Sequence, residues 1–255
     1  MRKGRRSSAL PPADDDVRLH ADAADFAAAG LSERREALAL EHAARLICQE
    51  SCAWSDALED AQQLFDVRLR PDDLPRAVRR WRRLFEPDRH VRTLALKRIA
   101  ALALMEVVPA LRLRLIGNVL TGCAVESSAI ELVHLSDDRG AVVNEKDAAA
   151  ALLDADLDPV MLDADYPTAF GRRCRGRLLS MAVDLTGLIP RSARALVLPG
   201  EDIPGLTALI RLAPAETALP APREPEEGEL PLEAKGALDQ AGVAELLAQT
   251  MPKTA

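Results

Sequence analysis

The sequence predicts an α+β (α/β) protein: a helical N-terminal region followed by a small mixed-sheet core. Two textures carry that expectation. Up to Pro109 apolar residues recur at three- and four-residue steps, the period of one helix face; beyond it they gather in short runs bounded by Gly, Pro and Asp. Composition is the third observation. With 48% apolar and 29% charged residues in 255, the chain has enough interior to fold unaided.

Residues 1–30 read as a disordered or weakly ordered arm. Arg2, Lys3, Arg5 and Arg6 stand beside Pro11, Pro12 and the acidic Asp14, Asp15 and Asp16, a composition that buries little surface. Residues 31–109 read as a helical region. Ser32 can cap a first helix, in which Leu38, Ala39, His42, Ala43, Leu46 and Ile47 share a stripe. After Ser55 the positions Leu58, Ala61, Leu64 and Phe65 mark a second helix, and Pro71 breaks the chain before a third with Val78, Trp81, Leu84 and Phe85. Pro87 opens a fourth helix, to which Val91, Leu94, Ala95, Arg98, Ile99, Leu102 and Met105 give an almost fully buried look until Pro109 ends it.

Residues 110–212 form the expected core, with strands at 111–116, 130–135, 159–162 and 178–185 and an alanine-rich helix at 144–153. Residues 213–255 read as an acidic linker, with Pro214, Pro220, Pro222, Pro225 and Pro231 among six glutamates, before an amphipathic stretch able to close as a helix.

Charge and composition exclude several functions. A net charge of −7 argues against a globally basic nucleic-acid binder, and 3% aromatic residues leave little for base-stacking platforms. Cys48, Cys52, Cys123 and Cys174, with no apolar leader after Met1, suggest a reducing, cytoplasmic setting rather than a disulfide framework. The longest apolar stretch is interrupted by Lys97, Arg98 and Glu106, so no membrane span is expected. Cys48 and Cys52 are spaced i, i+4 near His42 but lack a fourth ligand at zinc-finger spacing. No Gly-x-Ser-x-Gly and no phosphate loop ending in Gly-Lys-Ser/Thr occurs.

The informative stretch runs from Leu115 to Leu132. It reads as strand, glycine turn, short helical turn and second strand, and a glycine at such a hand-over lets backbone N–H groups face a phosphate. This pattern resembles the polymerase-β-like nucleotidyltransferase superfamily: apolar-Gly-Ser, about ten residues, then Asp-apolar-Asp or Asp-apolar-Glu. Ile116 and Gly117 match, Asn118 replaces the serine, Gly122 matches a second glycine, and Ala129-Ile130-Glu131 occupies the carboxylate motif. More narrowly, residues 94–137 with the later run Met181 to Thr186 look like a poorly characterised bacterial nucleotidyltransferase-like group.

The resemblance implies transfer of a nucleoside monophosphate from a nucleoside triphosphate to an acceptor, be it RNA, protein or a small molecule. Gly117, Asn118 and Gly122 would bind the nucleotide, while Glu131 and Asp184 would be the catalytic, Mg²⁺-holding acids. Carboxylates at i and i+2 of a strand point to one face, where they and a third acid can hold Mg²⁺ against the phosphates. Ala129 stands where the first aspartate belongs. Either another acid such as Glu126 replaces it, or the protein is a catalytically inactive nucleotide-binding sensor or protein-interaction module. Bland readings also stand: Glu131 as an exposed edge residue, Asp184 as a strand end facing solvent.

Between Arg68 and Arg98 eleven Lys/Arg face four Asp/Glu, and Arg172, Arg173, Arg175 and Arg177 form a second basic cluster. These fit either a solvated helix face or contacts to phosphates.

Overall fold

The computed structural model describes residues 15–135, 145–168, 172–183 and 206–250. Its elements are α1 (Asp15–Glu50), α2 (Trp54–Phe65), α3 (Leu74–Phe85), α4 (Pro87–Val107), β1 (Arg114–Ile116), α5 (Gly117–Leu120), β2 (Ile130–Leu135), α6 (Glu145–Leu153), β3 (Val160–Pro167), β4 (Arg173–Val183), β5 (Leu206–Ala213) and α7 (Gln240–Thr250). The mixed helix-and-sheet class expected from the sequence is present.

The first helix starts earlier than its Ser32 cap suggests. Residues 15–30, expected to belong to the arm, are helical, in keeping with the helix propensity of the alanine-rich run 21–29; residues 1–14 lie outside the described residues. Ala39, Ala43, Ala44 and Ile47 of α1 pack against Ala57 and Ala61 of α2 and Val78 and Trp81 of α3. Small side chains let these helices approach closely. His42 Nε2 and Asp60 Oδ2, 2.9 Å apart, join α1 to α2.

Helix α4 belongs to a different core. Leu94, Ala101, Leu104 and Met105 are buried with the sheet residues Leu115, Ile130, Leu132, Leu179, Met181, Ala208 and Ile210 rather than with α1 to α3. The packing boundary therefore falls near Pro87, ahead of the compositional change at Pro109.

The five strands form one mixed sheet in the order β1-β2-β5-β4-β3. β1 and β2 run antiparallel, with Ile116 opposite Glu131, and α5 fills the turn between them. β2 and β5 run parallel, whereas β5 with β4 and β4 with β3 are antiparallel. β1 is shorter than its apolar run because Pro109–Leu111 closes a 3₁₀ turn and Arg112 takes a left-handed φ of 43°. β3 is longer than the expected 159–162. Its Tyr166 ring covers Gly176 of β4, and the Tyr166 hydroxyl donates to the Arg177 carbonyl at 2.7 Å.

The C-terminal segment is a bound strap rather than a free linker. Beyond β5 the chain returns across the helices, forms a 3₁₀ turn at Pro231–Ala234, and exchanges two backbone hydrogen bonds of 2.7 and 3.0 Å between Leu238 and Leu115. Those bonds cover the open edge of β1, which would otherwise invite pairing with another chain. Glu229 and Glu233 bury themselves among arginines, and that pairing holds down a segment whose composition alone suggests solvent exposure. α7 then packs on α4 through Val243 and Leu246.

Candidate functional site

Gly117 ends β1 and starts α5 with φ +71°, a conformation that favours glycine. A Cβ built there would lie 2.5 Å from Glu131 Oε1, so the Glu131 carboxylate fills the space directly over the turn. Strand register explains the meeting, because Glu131 is the partner of Ile116, next to Gly117. On its other side Glu131 is ion-paired to Arg211 of β5. The alternation of strand side chains puts Arg211, two residues beyond Glu131's own partner Leu209, on the same sheet face.

The other expected site residues separate. Asn118 is half-buried in α5, with its carbonyl accepting from the Cys123 amide at 2.9 Å. Gly122 does not join Gly117 in one cradle: its φ is +73°, and a Cβ there would meet Glu233 Oε1 at 2.7 Å, so it makes room for the strap. Ala129 immediately precedes β2, and Asp184 lies outside the described residues.

Glu126, a candidate replacement for the missing aspartate, is held elsewhere. It accepts two hydrogen bonds from Arg82 at 2.7 and 3.0 Å and one from Thr93 at 3.0 Å, and its Oε1 lies 2.9 Å from Arg89 Nε. Burial pushes its carboxyl up, but the hydrogen bonds and charge of Arg82, aided by Arg89, outweigh burial and hold it at about 2. Lys97 donates to the Glu126 and Ser128 carbonyls, fixing the whole loop that leads into β2.

Of the acids that the resemblance would place on Mg²⁺, Asp184 lies outside the described residues and only Glu131 can be located. Ala129 has no oxygen to give, Glu131 is neutralised by Arg211, and among the described residues no three His, Cys, Asp or Glu side chains gather around a common point. The Arg211 guanidinium beside Glu131 offsets the charge that would attract a second cation there.

A second polar centre, behind α5, is built from the basic run 68–98, in which Arg79, Arg82, Lys97 and Arg98 are buried and do not form a solvated helix face. Arg98 is fully buried; it donates to the Val119 and Leu120 carbonyls at 3.2 Å each, to Glu233 at 2.7 Å and to Thr250. Arg79 pairs with Glu229 at 3.1 Å and donates to Cys123 Sγ at 3.4 Å. Arg98 lies on the apolar stripe of α4 and Arg211 within an apolar strand. A charge inside an apolar period is the signal that marks both for pairing.

Among the described residues no helix is long and apolar enough to cross a membrane. In comparisons with protein-family models, curated proteins and solved structures, nothing matches this chain.

Proposed function

We propose that the chain is a nucleotidyltransferase-like protein that acts by binding in a cytoplasmic setting, without metal-dependent transfer. One observation carries this reading: Glu131 is paired with Arg211 over the Gly117 turn, next to a position where alanine replaces the first carboxylate. Transfer by the superfamily's chemistry needs acids free to hold metal ions that bridge the nucleotide phosphates. Here the acid over the turn instead serves a cross-strand ion pair. Its negative charge also stands where a triphosphate would approach, so a nucleotide binding at Gly117 and Asn118 must displace it.

Titration of the protein with nucleoside triphosphates, with and without Mg²⁺, beside a pyrophosphate-release assay tests the proposal. The expected result is nucleotide binding by the wild type that does not depend on Mg²⁺ and no pyrophosphate release above background, with Mg²⁺-dependent binding appearing only in the Ala129→Asp/Arg211→Ala double variant. Turnover by the wild type that disappears in Glu131→Gln would overturn it.

A further inference from the structure

Between α3, α4, α7 and the strap lies a cavity of about 190 Å³ whose lining includes Arg79, Arg83, His90, Arg98, Glu233 and Thr250. Gly117, Asn118 and Glu131 take no part in it. We infer that this cavity is a binding site for a phosphate-type oxyanion, either free phosphate or the phosphate of a small phosphomonoester. The inference stands apart from the nucleotidyltransferase-like reading and uses none of its residues except Gly122, which lines the cavity.

Charge is the first argument. Three guanidinium groups face one lining carboxylate, Glu233, and counting Glu229, the partner of Arg79, still leaves a surplus cation. Glu233 is fully engaged: one oxygen accepts from Arg98 and the other from the Leu230 amide at 3.0 Å. Arg83 has no ion pair among the described residues. The strap passes it with Gly228, at φ +75°, where a Cβ would lie 2.0 Å from Arg83 Nη1. The glycine lets the guanidinium of this solvent-exposed arginine lie against the strap backbone at the mouth of the cavity.

Unsatisfied hydrogen bonding is the second. Arg79 Nε and His90 Nδ1 are buried without a hydrogen-bond partner, in residues only 6% and 5% exposed. A buried polar group left unpaired carries its full desolvation cost, and each such group in a folded protein calls for an explanation. Both residues line this cavity. Neither nitrogen opens onto the cavity surface, so an oxyanion, rich in acceptor lone pairs, answers the surplus charge directly and these two groups only once their side chains turn toward it. A cation or a neutral donor would leave Arg79 Nε unsatisfied, since that nitrogen can only donate.

Size and surroundings define the ligand. About 190 Å³ holds a phosphate-sized group, but it is smaller than the ~300–1,000 Å³ typical of sites that enclose a drug-sized ligand. A nucleoside would remain outside. Burial, reinforced by the charges of Arg82, Arg83, Arg98 and Arg79, holds His90 down at about 3, so its ring is neutral near pH 7 and can serve as a hydrogen-bond donor through Nδ1.

Calorimetric titration of the full chain with inorganic phosphate, with glycerol 3-phosphate and with acetate tests the inference. Saturable binding of phosphate or glycerol 3-phosphate is expected, with acetate at least about tenfold weaker. Tighter binding of glycerol 3-phosphate identifies a phosphomonoester as the ligand, and the reverse order identifies free phosphate. Arg83→Ala, which breaks no ion pair among the described residues, should weaken binding about tenfold. His90→Leu should do the same, while His90→Asn, which keeps an amide donor near the place of Nδ1, should stay within about threefold of wild type. Absence of saturable binding, equal binding of acetate, or binding unchanged in Arg83→Ala would overturn the inference. Arg83 alone decides if the His90 variants fail to fold. None of these outcomes bears on the pyrophosphate-release assay.

Discussion

Arg98 in α4 and Glu233 in the strap, 135 positions apart in sequence, meet in a 2.7 Å charge-assisted hydrogen bond with both side chains out of solvent. Two charges taken from water are tolerated there because Arg98 also satisfies the carbonyls at the end of α5, while Gly122 leaves room for the carboxylate. The pair therefore joins α4, α5 and the strap at one point.

Removing one partner strands the other. Glu233→Gln is expected to lower unfolding free energy by about 3 kcal/mol, since breaking a buried pair leaves an uncompensated charge. Arg98→Met/Glu233→Leu should recover most of that loss. Urea denaturation of the three proteins measures it, and a Glu233→Gln midpoint equal to wild type would contradict the account.

Acid should loosen the junction between α3, α4 and the loop before β2. The Glu126 carboxyl sits at about 2 in the fold against an ordinary 4.5, so its charged form favours folding. That contribution is fully present above pH 4.5 and is lost as pH falls toward 2, because the unfolded chain takes up its proton first. At 1.36 kcal/mol per unit the shift sets a ceiling of about 3 kcal/mol, lowered by solvent screening of a carboxylate that remains 32% exposed. Stability measured across this window should fall less steeply in Glu126→Gln than in wild type.

Gly117→Ala should cost about 1–2 kcal/mol for its left-handed backbone alone, with a further cost from displacing the Glu131 carboxylate. In a Glu131→Ala background only the backbone cost should remain. A double-mutant cycle checks this, and equal costs in both backgrounds would show that the carboxylate does not lie over the turn.

Gly176→Val should destabilise the β3–β4 pair by about 2 kcal/mol through overpacking. A Cβ at 176 meets the Leu212 carbonyl oxygen at 2.5 Å and the Tyr166 ring at 2.6 Å, and only the ring can move aside. Tyr166→Ala should therefore fail to rescue the variant in thermal unfolding.

What the sequence makes legible follows from periodicity. Apart from the early start of α1 and the shortened β1, the four N-terminal helices, the β1–α5–β2 unit around Gly117 and the helix at Glu145–Leu153 lie where apolar spacing places them. β5 escapes that reading because Arg211 interrupts its apolar run, and the reason for that arginine, Glu131, is 80 residues away. The strap escapes for a similar cause. Proline and glutamate suggest exposure until Arg79 and Arg98 appear as partners, and no local pattern announces a pairing across more than a hundred positions. Glu131 was visible as a candidate acid, but its partner was not, and the partner decides what the acid can do.

The position of β5 orders events in time. The last strand of the sheet in sequence, Leu206–Ala213, lies between β2 and β4, so a chain emerging from the ribosome can form the β1–β2 and β3–β4 pairs but cannot join them until β5 has appeared. Until then both pairs expose ladder edges, and Arg98, made more than a hundred residues earlier, waits for Glu233. Joining the halves at so large a sequence separation carries a loop-closure cost that slows assembly. The half-made protein is thus the form with open edges and an unpaired interior cation, the kind of transient species that chaperones shelter.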